Sequence, residues 1–152
     1  MSISTFFEQD AKLVNDLVFL LSREQISLID ADIDAMEALL DEKSMLLQSI
    51  NASVQVRYQA LSNAGYEPNE DGMFAWIKNT DSVKLTLLWQ DFQNTLEQAK
   101  ELNRLNGQLI NKHFNRNQQF LHQLKGGLAN DSVYGRNGQT TSQNHTRPSL
   151  SV

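Results

Sequence analysis

The side chains that most often carry chemistry are few in this 152-residue chain, and their spacing forms no recognisable site. Cysteine is absent, which excludes disulfides, thiolate metal sites and a cysteine nucleophile. Asp30, Asp32 and Asp34 alternate without the glycine and the terminal glutamate of an EF-hand loop. The chain has three histidines, at His113, His122 and His145. The first two are nine residues apart and so lie on different faces of a helix. We therefore expect no catalytic residue, no metal, no cofactor and no enzymatic activity.

Net charge and hydropathy narrow the classes of partner. The chain carries 13 basic and 18 acidic residues, for a net charge of −5, which argues against nucleic acid as a partner. Its longest apolar runs, among them Leu17 to Leu21, are far shorter than the roughly 18 residues of a membrane span, so we expect no membrane insertion. The acids in Phe6-Phe7-Glu8-Gln9-Asp10 interrupt any secretory leader. A cytoplasmic location is expected.

The elements that must position any binding residues are long helices. No glycine or proline occurs before Ala64, and Thr5 with Glu8 forms a capping-box pattern. We predict one continuous helix from Thr5 to Asn63; the alternative is a break near Asp30 to Asp34, after which the chain folds back. The apolar stripe recurs every eleven residues, close to three helical turns, at Phe6, Leu17, Leu28, Leu39, Ile50 and Leu61.

The second half of the chain predicts a turn, a short helix, a long helix and a tail. Gly65 is placed to end the first helix in a left-handed conformation, and Met73 to Ile77 should form a short connecting helix. A second long helix should run from Asp81 or Ser82 to about Lys125, where Gly126-Gly127 end it. The fold class is therefore all-α, an elongated antiparallel helical hairpin or coiled-coil bundle. The domains are a helical hairpin at 1–125 and a flexible, disordered C-terminal tail at 126–152.

A mismatch in helix length predicts an interface. A second helix that ends near Lys125 covers the first only down to about residue 21, which leaves apolar residues beyond it. We expect these residues to meet another chain, either a second copy in a homodimer or a client helix. They include Phe6, Leu13, Leu17 and Leu20.

The segment Asn103 to Gly107 is unusual inside a helix. Glycine there costs about 1 kcal/mol relative to alanine, and two asparagines fall on the apolar seam. Gly107 at a close helix crossing, with Asn103 and Asn106 buried to fix register, would explain the pattern. Two exposed asparagines and a tolerated glycine are the alternative.

The ordered combination of these features resembles the FlgN-like flagellar export chaperones. The likeness covers about residues 8 to 140, and its most specific parts are Asn-x-x-Asn-Gly in the second helix and the later Tyr-Gly-x-x-Gly run. The matching residues are Glu24, Leu28, Leu39, Lys43, Arg57, Leu61, Gly65, Trp76, Trp89, Asn103, Asn106-Gly107, Ile110 and Tyr134-Gly135-Arg136-Asn137-Gly138.

The resemblance implies a small acidic cytosolic chaperone of flagellar type III secretion. Such a protein binds hook-filament junction proteins, masks their apolar helices and delivers them to the export gate. Carried onto this sequence, it implies that Tyr134 contacts the gate. It also implies client binding by Ile110, Phe114, Phe120, Leu121 and Leu124. The alternative, from another class, is a structural coiled-coil dimerisation subunit without a client.

Overall fold

The computed structural model describes residues 2–129, with side chains as far as Arg116 and again at Gln118. Throughout these residues the secondary structure is helical, without a strand, which confirms the all-α prediction. No helix among them is long and apolar enough to cross a membrane. The chain forms two compact units, residues 1–103 and the part that begins at Arg104. The four helices are α1 (Ile3–Ile29), α2 (Ile33–Asn63), α3 (Glu70–Thr80) and α4 (Val83–Ala129).

The predicted continuous first helix is wrong, and the alternative break near Asp30 is confirmed. Ala31 adopts a left-handed conformation with φ of 54°, which L-residues rarely do. Its N–H donates to Leu28 O at 3.2 Å, and the N–H of Asp32 donates to Ser27 O at 2.9 Å. These two bonds form a Schellman motif, which ends a helix by satisfying its last carbonyls. Asp32 then caps α2 through the N–H of Ala35 at 3.1 Å.

The break lets α1 fold back antiparallel onto α2. The ion pairs show the direction, because the one near the start of α1 joins it to the end of α2, whereas the two near the end of α1 join it to the start of α2. The predicted overhang of the first helix therefore does not exist, since its N-terminal half packs within its own unit. The pairs are Asp10 with Arg57, Arg23 with Glu42 and Glu24 with Lys43.

Other helix ends follow local chemistry. The first helix begins at Ile3, capped by Ser2, two residues before the predicted Thr5. Gly65, with φ of 88°, ends α2 in a second Schellman motif, as predicted. The second long helix, predicted to begin at Asp81 or Ser82, begins at Val83, and the Ser82 hydroxyl accepts the N–H of Leu85. The predicted end of this helix at Gly126-Gly127 is wrong, because α4 continues to Ala129. Two glycines weaken a helix without forbidding its dihedral angles.

The core of the first unit lies where α1, α2, α3 and the start of α4 meet. Phe7 packs edge-on against Phe92, with ring centroids 5.1 Å apart, and Trp89 lies 5.9 Å from Phe7. The short helix predicted around Met73 is confirmed as α3. Its Met73 and Ile77 are buried in this core. The buried core members are Phe7, Ala11, Val14, Leu61, Met73, Ile77 and Phe92.

Candidate functional site

A buried ionic cluster joins three helices of the first unit. Arg57 of α2 has no exposed surface. Its Nε donates to Oδ2 of Asp10 on α1 at 2.5 Å, and an Nη donates to Oε2 of Glu70 at the start of α3 at 3.0 Å. The guanidinium carbon also lies 5.2–5.8 Å from the ring centroids of three aromatic residues, which favours the cation further. These are Phe7, Tyr58 and Phe92.

Two hydroxyl groups complete this cluster. Ser53 donates to Oδ1 of Asp10, and Tyr58 donates to Oε2 of Glu70. Burial, together with the hydrogen bond to Glu70, raises the pKa of Tyr58 to about 12. The phenol therefore remains protonated and remains a donor throughout the neutral range.

This cluster is a structural connection rather than a reaction centre. Its one cation is enclosed by two carboxylates and aromatic rings, so a substrate has no route to it. Metal binding has no candidate site either: among the residues that the structure describes, no three histidine, aspartate or glutamate side chains come together in a way that could hold a metal ion. Sequence reasoning singled out Arg57 only by resemblance and missed Asp10. The available signal was the position of Asp10, a charged residue that lies at helical spacing between the apolar residues Phe7 and Val14.

The matching residues Glu24 and Lys43 are also partners across the α1–α2 pair. The Lys43 ammonium donates to both carboxylate oxygens of Glu24, at 3.1 and 3.2 Å. The Glu24 side chain is buried and that of Lys43 is largely so. Leu28 and Leu39 are buried too, so several residues that carry the resemblance are buried in the α1–α2 pair.

The predicted client-binding residues begin where the buried face of α4 becomes exposed. On one side of this helix Phe92, Ala99 and Asn106 are buried. Ile110, one turn beyond Asn106, is 38% exposed, and Phe114 is half-buried. The side chains of Phe120, Leu121 and Leu124 lie outside those described, and Tyr134 lies outside the described residues altogether.

Of the predictions for the Asn103–Gly107 segment, one is confirmed and the others are wrong. Asn106 is buried, as predicted for an asparagine on the seam, whereas Asn103 is exposed. The prediction that Gly107 permits a close helix crossing is wrong. A Cβ built there would have no neighbour within 4 Å among the described residues.

The opposite side of this part of α4 is polar and basic. Its residues recur at helical spacing and line a shallow surface depression. Because both faces belong to one helix, a substitution on the polar face is a natural control for one on the apolar face. The lining residues are Gln108, Asn111, Lys112, Asn115 and Arg116.

The four predicted interface residues of α1 occupy different environments. Leu20 is only 2% exposed within its own chain, so it cannot meet a partner in this structure, which corrects its assignment. Leu17 is half-buried. Phe6 and Leu13 border a groove of about 440 Å³ between α1 and α2. An interface at Phe6, Leu13 and Leu17 stays a prediction.

Comparison with known proteins agrees with the resemblance. Residues 1–142 match the family described as FlgN protein. The flagella synthesis protein FlgN of Escherichia coli (strain K12) is 26% identical over 152 residues, which covers 99% of this chain and 98% of the relative. The protein of the same name from Salmonella typhimurium has the same identity and coverage. No solved structure matches the chain significantly. Because the family match extends over nearly the whole sequence, the chain belongs to the FlgN family.

Proposed function

We propose that the protein is a flagellar export chaperone that binds hook-filament junction proteins through the distal part of α4. Family membership supports the class of function, since two relatives carry the name flagella synthesis protein. The client surface, called here the α4 stripe, consists of Ile110, Phe114, Phe120, Leu121 and Leu124.

The observation that carries this proposal is the change in burial along one face of α4. On this face Phe92, Ala99 and Asn106 are at most 7% exposed, whereas Ile110, the next residue along the face, is 38% exposed. Beyond that point the sequence continues the apolar residues at helical spacing, and the described residues cover Ile110 only in part. An amphipathic client helix could bury them, and each fully buried side chain contributes roughly 1.5–3 kcal/mol before association costs.

A pair of charge substitutions tests the α4 stripe. Ile110→Asp with Phe114→Asp should abolish binding of a purified junction protein by isothermal titration calorimetry. Gln108→Asp with Asn115→Asp places the same charges on the polar face of the same helix and should leave the affinity within about threefold. Circular dichroism checks that both variants stay helical. Equal loss in both pairs, or in neither, would contradict the proposal.

Delivery to the export gate is assigned to Tyr134, in the segment that follows α4. A single tyrosine contributes little contact area, so its contact should be weak and suited to handover. Tyr134→Ala should leave client affinity unchanged and reduce secretion of the junction protein. Loss of client binding in this variant would show that the two surfaces are one.

The alternative of a structural coiled-coil subunit without a client makes a different prediction. Truncation after Gly126 should leave all partners in place if the protein is only a scaffold. If it is a chaperone that delivers to a gate, the same truncation should stop secretion. A secretion assay on the truncated chain therefore separates the two functions.

A further inference from the structure

The side of α1 that faces away from the core carries an exposed apolar stripe. Phe19, Ile26 and Ile29 are 72%, 60% and 64% exposed, and their spacings of seven and three residues place them on one side of the helix. Ile33, the first residue of α2, is 58% exposed just past the turn. We call these four residues the hairpin-end face. Single exposed apolar residues are ordinary, but a helical row of large ones marks an interaction surface.

Three of the four residues of the hairpin-end face lie within the most acidic stretch of the chain. Residues 24–42 contain seven acidic residues and no basic one. Glu24 and Glu42 are paired with Lys43 and Arg23. The exposed acids at the turn take no part in a salt bridge with any residue that the structure describes, so their charge remains available to a partner. They are Asp30, Asp32, Asp34, Glu37 and Asp41.

We propose that the hairpin-end face docks a basic amphipathic helix of a partner protein other than the client. The isoleucines would take the apolar side of that helix, and the surrounding carboxylates would attract its lysines and arginines. A second copy that docks through the same face is disfavoured, because a symmetric contact would bring together two sets of the five exposed acids that have no salt bridge within the described residues.

The α4 stripe is unsuited to the same partner. No acidic residue occurs from Leu102 to Asn130, whereas Arg104, Lys112, Arg116 and Lys125 are basic. A basic helix is therefore repelled from the distal part of α4 and attracted to the hairpin end. Charge thus sorts two kinds of partner between two surfaces of one small protein.

A designed peptide supplies the probe. A fluorescent helical peptide of about 18 residues, with a leucine stripe and lysines elsewhere, is titrated with the full chain at about 50 mM sodium chloride and followed by anisotropy. Binding should weaken at least tenfold in about 500 mM salt. A peptide with serine in place of leucine, and one with glutamate in place of lysine, should each bind at least tenfold more weakly.

Variants of the full chain place the binding. Ile26→Ser with Ile29→Ser, and separately Asp30→Asn with Asp34→Asn and Glu37→Gln, should each weaken peptide binding about tenfold while client affinity stays unchanged. The matched control is Val83→Ser with Leu87→Ser, which removes two exposed apolar residues from another helix and should change nothing. All these side chains are exposed, so circular dichroism should show unaltered helicity.

Three results would overturn the proposal. The first is equal binding of the leucine and serine peptides, which would reduce the effect to net charge. The second is undiminished binding in the isoleucine or acid variants. The third is loss of peptide binding when Ile110→Asp and Phe114→Asp are introduced, which would place the peptide on the α4 stripe. Because client affinity is measured separately, failure here is distinguishable from failure of the proposed chaperone function.

Discussion

Arg57 has no exposed surface and holds two carboxylates from two other helices. Its removal leaves Asp10, itself buried, without a cation. We expect Arg57→Met to lower the free energy of unfolding by about 3–5 kcal/mol, as is typical when one partner of a buried ion pair is lost. Urea unfolding measures the change.

The Arg23–Glu42 pair is the matched control, because both its side chains are about half exposed. Arg23→Met should cost less than about 1 kcal/mol. If the two variants lost similar stability, the cluster around Arg57 would not be the connection that the geometry indicates.

Tyr58 gives the same cluster a signature at high pH. Its pKa of about 12 in the folded protein lies above the ordinary value of 10.0, which holds in the unfolded chain. The stability that this shift contributes is therefore complete below pH 10 and is lost as pH rises through about 12. Ultraviolet titration of phenolate should show one tyrosine that ionises near pH 12 and is missing in Tyr58→Phe. An identical high-pH titration in the variant would contradict the assignment.

Ala31 explains why the turn between α1 and α2 is difficult to predict from the sequence. The left-handed position of a Schellman motif usually holds glycine, and here it holds alanine. Alanine in this conformation costs about 1–2 kcal/mol. Glycine removes that cost, but it loses more conformational entropy on folding, so the net gain from the substitution is smaller. Ala31→Gly should therefore raise the free energy of unfolding by about 0.5–1 kcal/mol. Ala38→Gly, at an exposed position inside α2, should lower it by about 1 kcal/mol. Loss of stability in both variants would contradict the turn geometry.

Substitution of glycine by alanine should have opposite effects on stability at Gly72 and at Gly107. A Cβ at Gly72 would lie 1.9 Å from Glu67 O, at the start of α3. At Gly107 it would meet nothing within 4 Å. Gly107→Ala should raise the melting temperature through a gain of about 1 kcal/mol, whereas Gly72→Ala should lower it. Calorimetry of the two variants tests this, and a stabilising Gly72→Ala would refute the contact.

The sequence predicts the helix ends that local chemistry defines, but it offers the α1–α2 turn, which tertiary packing imposes, only as an alternative. Gly65 and Ser82 mark their helix ends because glycine and a capping hydroxyl have intrinsic preferences. Ala31 has none, so the break after Ile29 follows from the gain in packing α1 onto α2. The same limit hid the partnership of Asp10 with Arg57, since residues 47 positions apart in sequence meet only after the chain folds back.

Charge divides the chain into an acidic N-terminal part and a basic C-terminal part. Residues 1–101 hold 17 acidic and seven basic residues, whereas residues 102–152 hold one acidic and six basic residues. Composition alone predicts this asymmetry. It does not reveal that the buried face of α4 opens at Ile110, because apolar residues recur at the same spacing before and after Asn106. Burial, rather than periodicity, distinguishes Ile110 from the core residues that precede it on this face.

Amide hydrogen exchange of the full chain, with and without a bound hook-filament junction protein, reports where on the chaperone the client binds. A client helix on the α4 stripe should slow exchange from about Asn106 to Leu124 by stabilising that part of α4 against local opening. The α1–α2 turn should exchange as it does in the free protein. Protection confined to the turn or to α3, with residues 106–124 unchanged, would contradict the assignment of the client to α4.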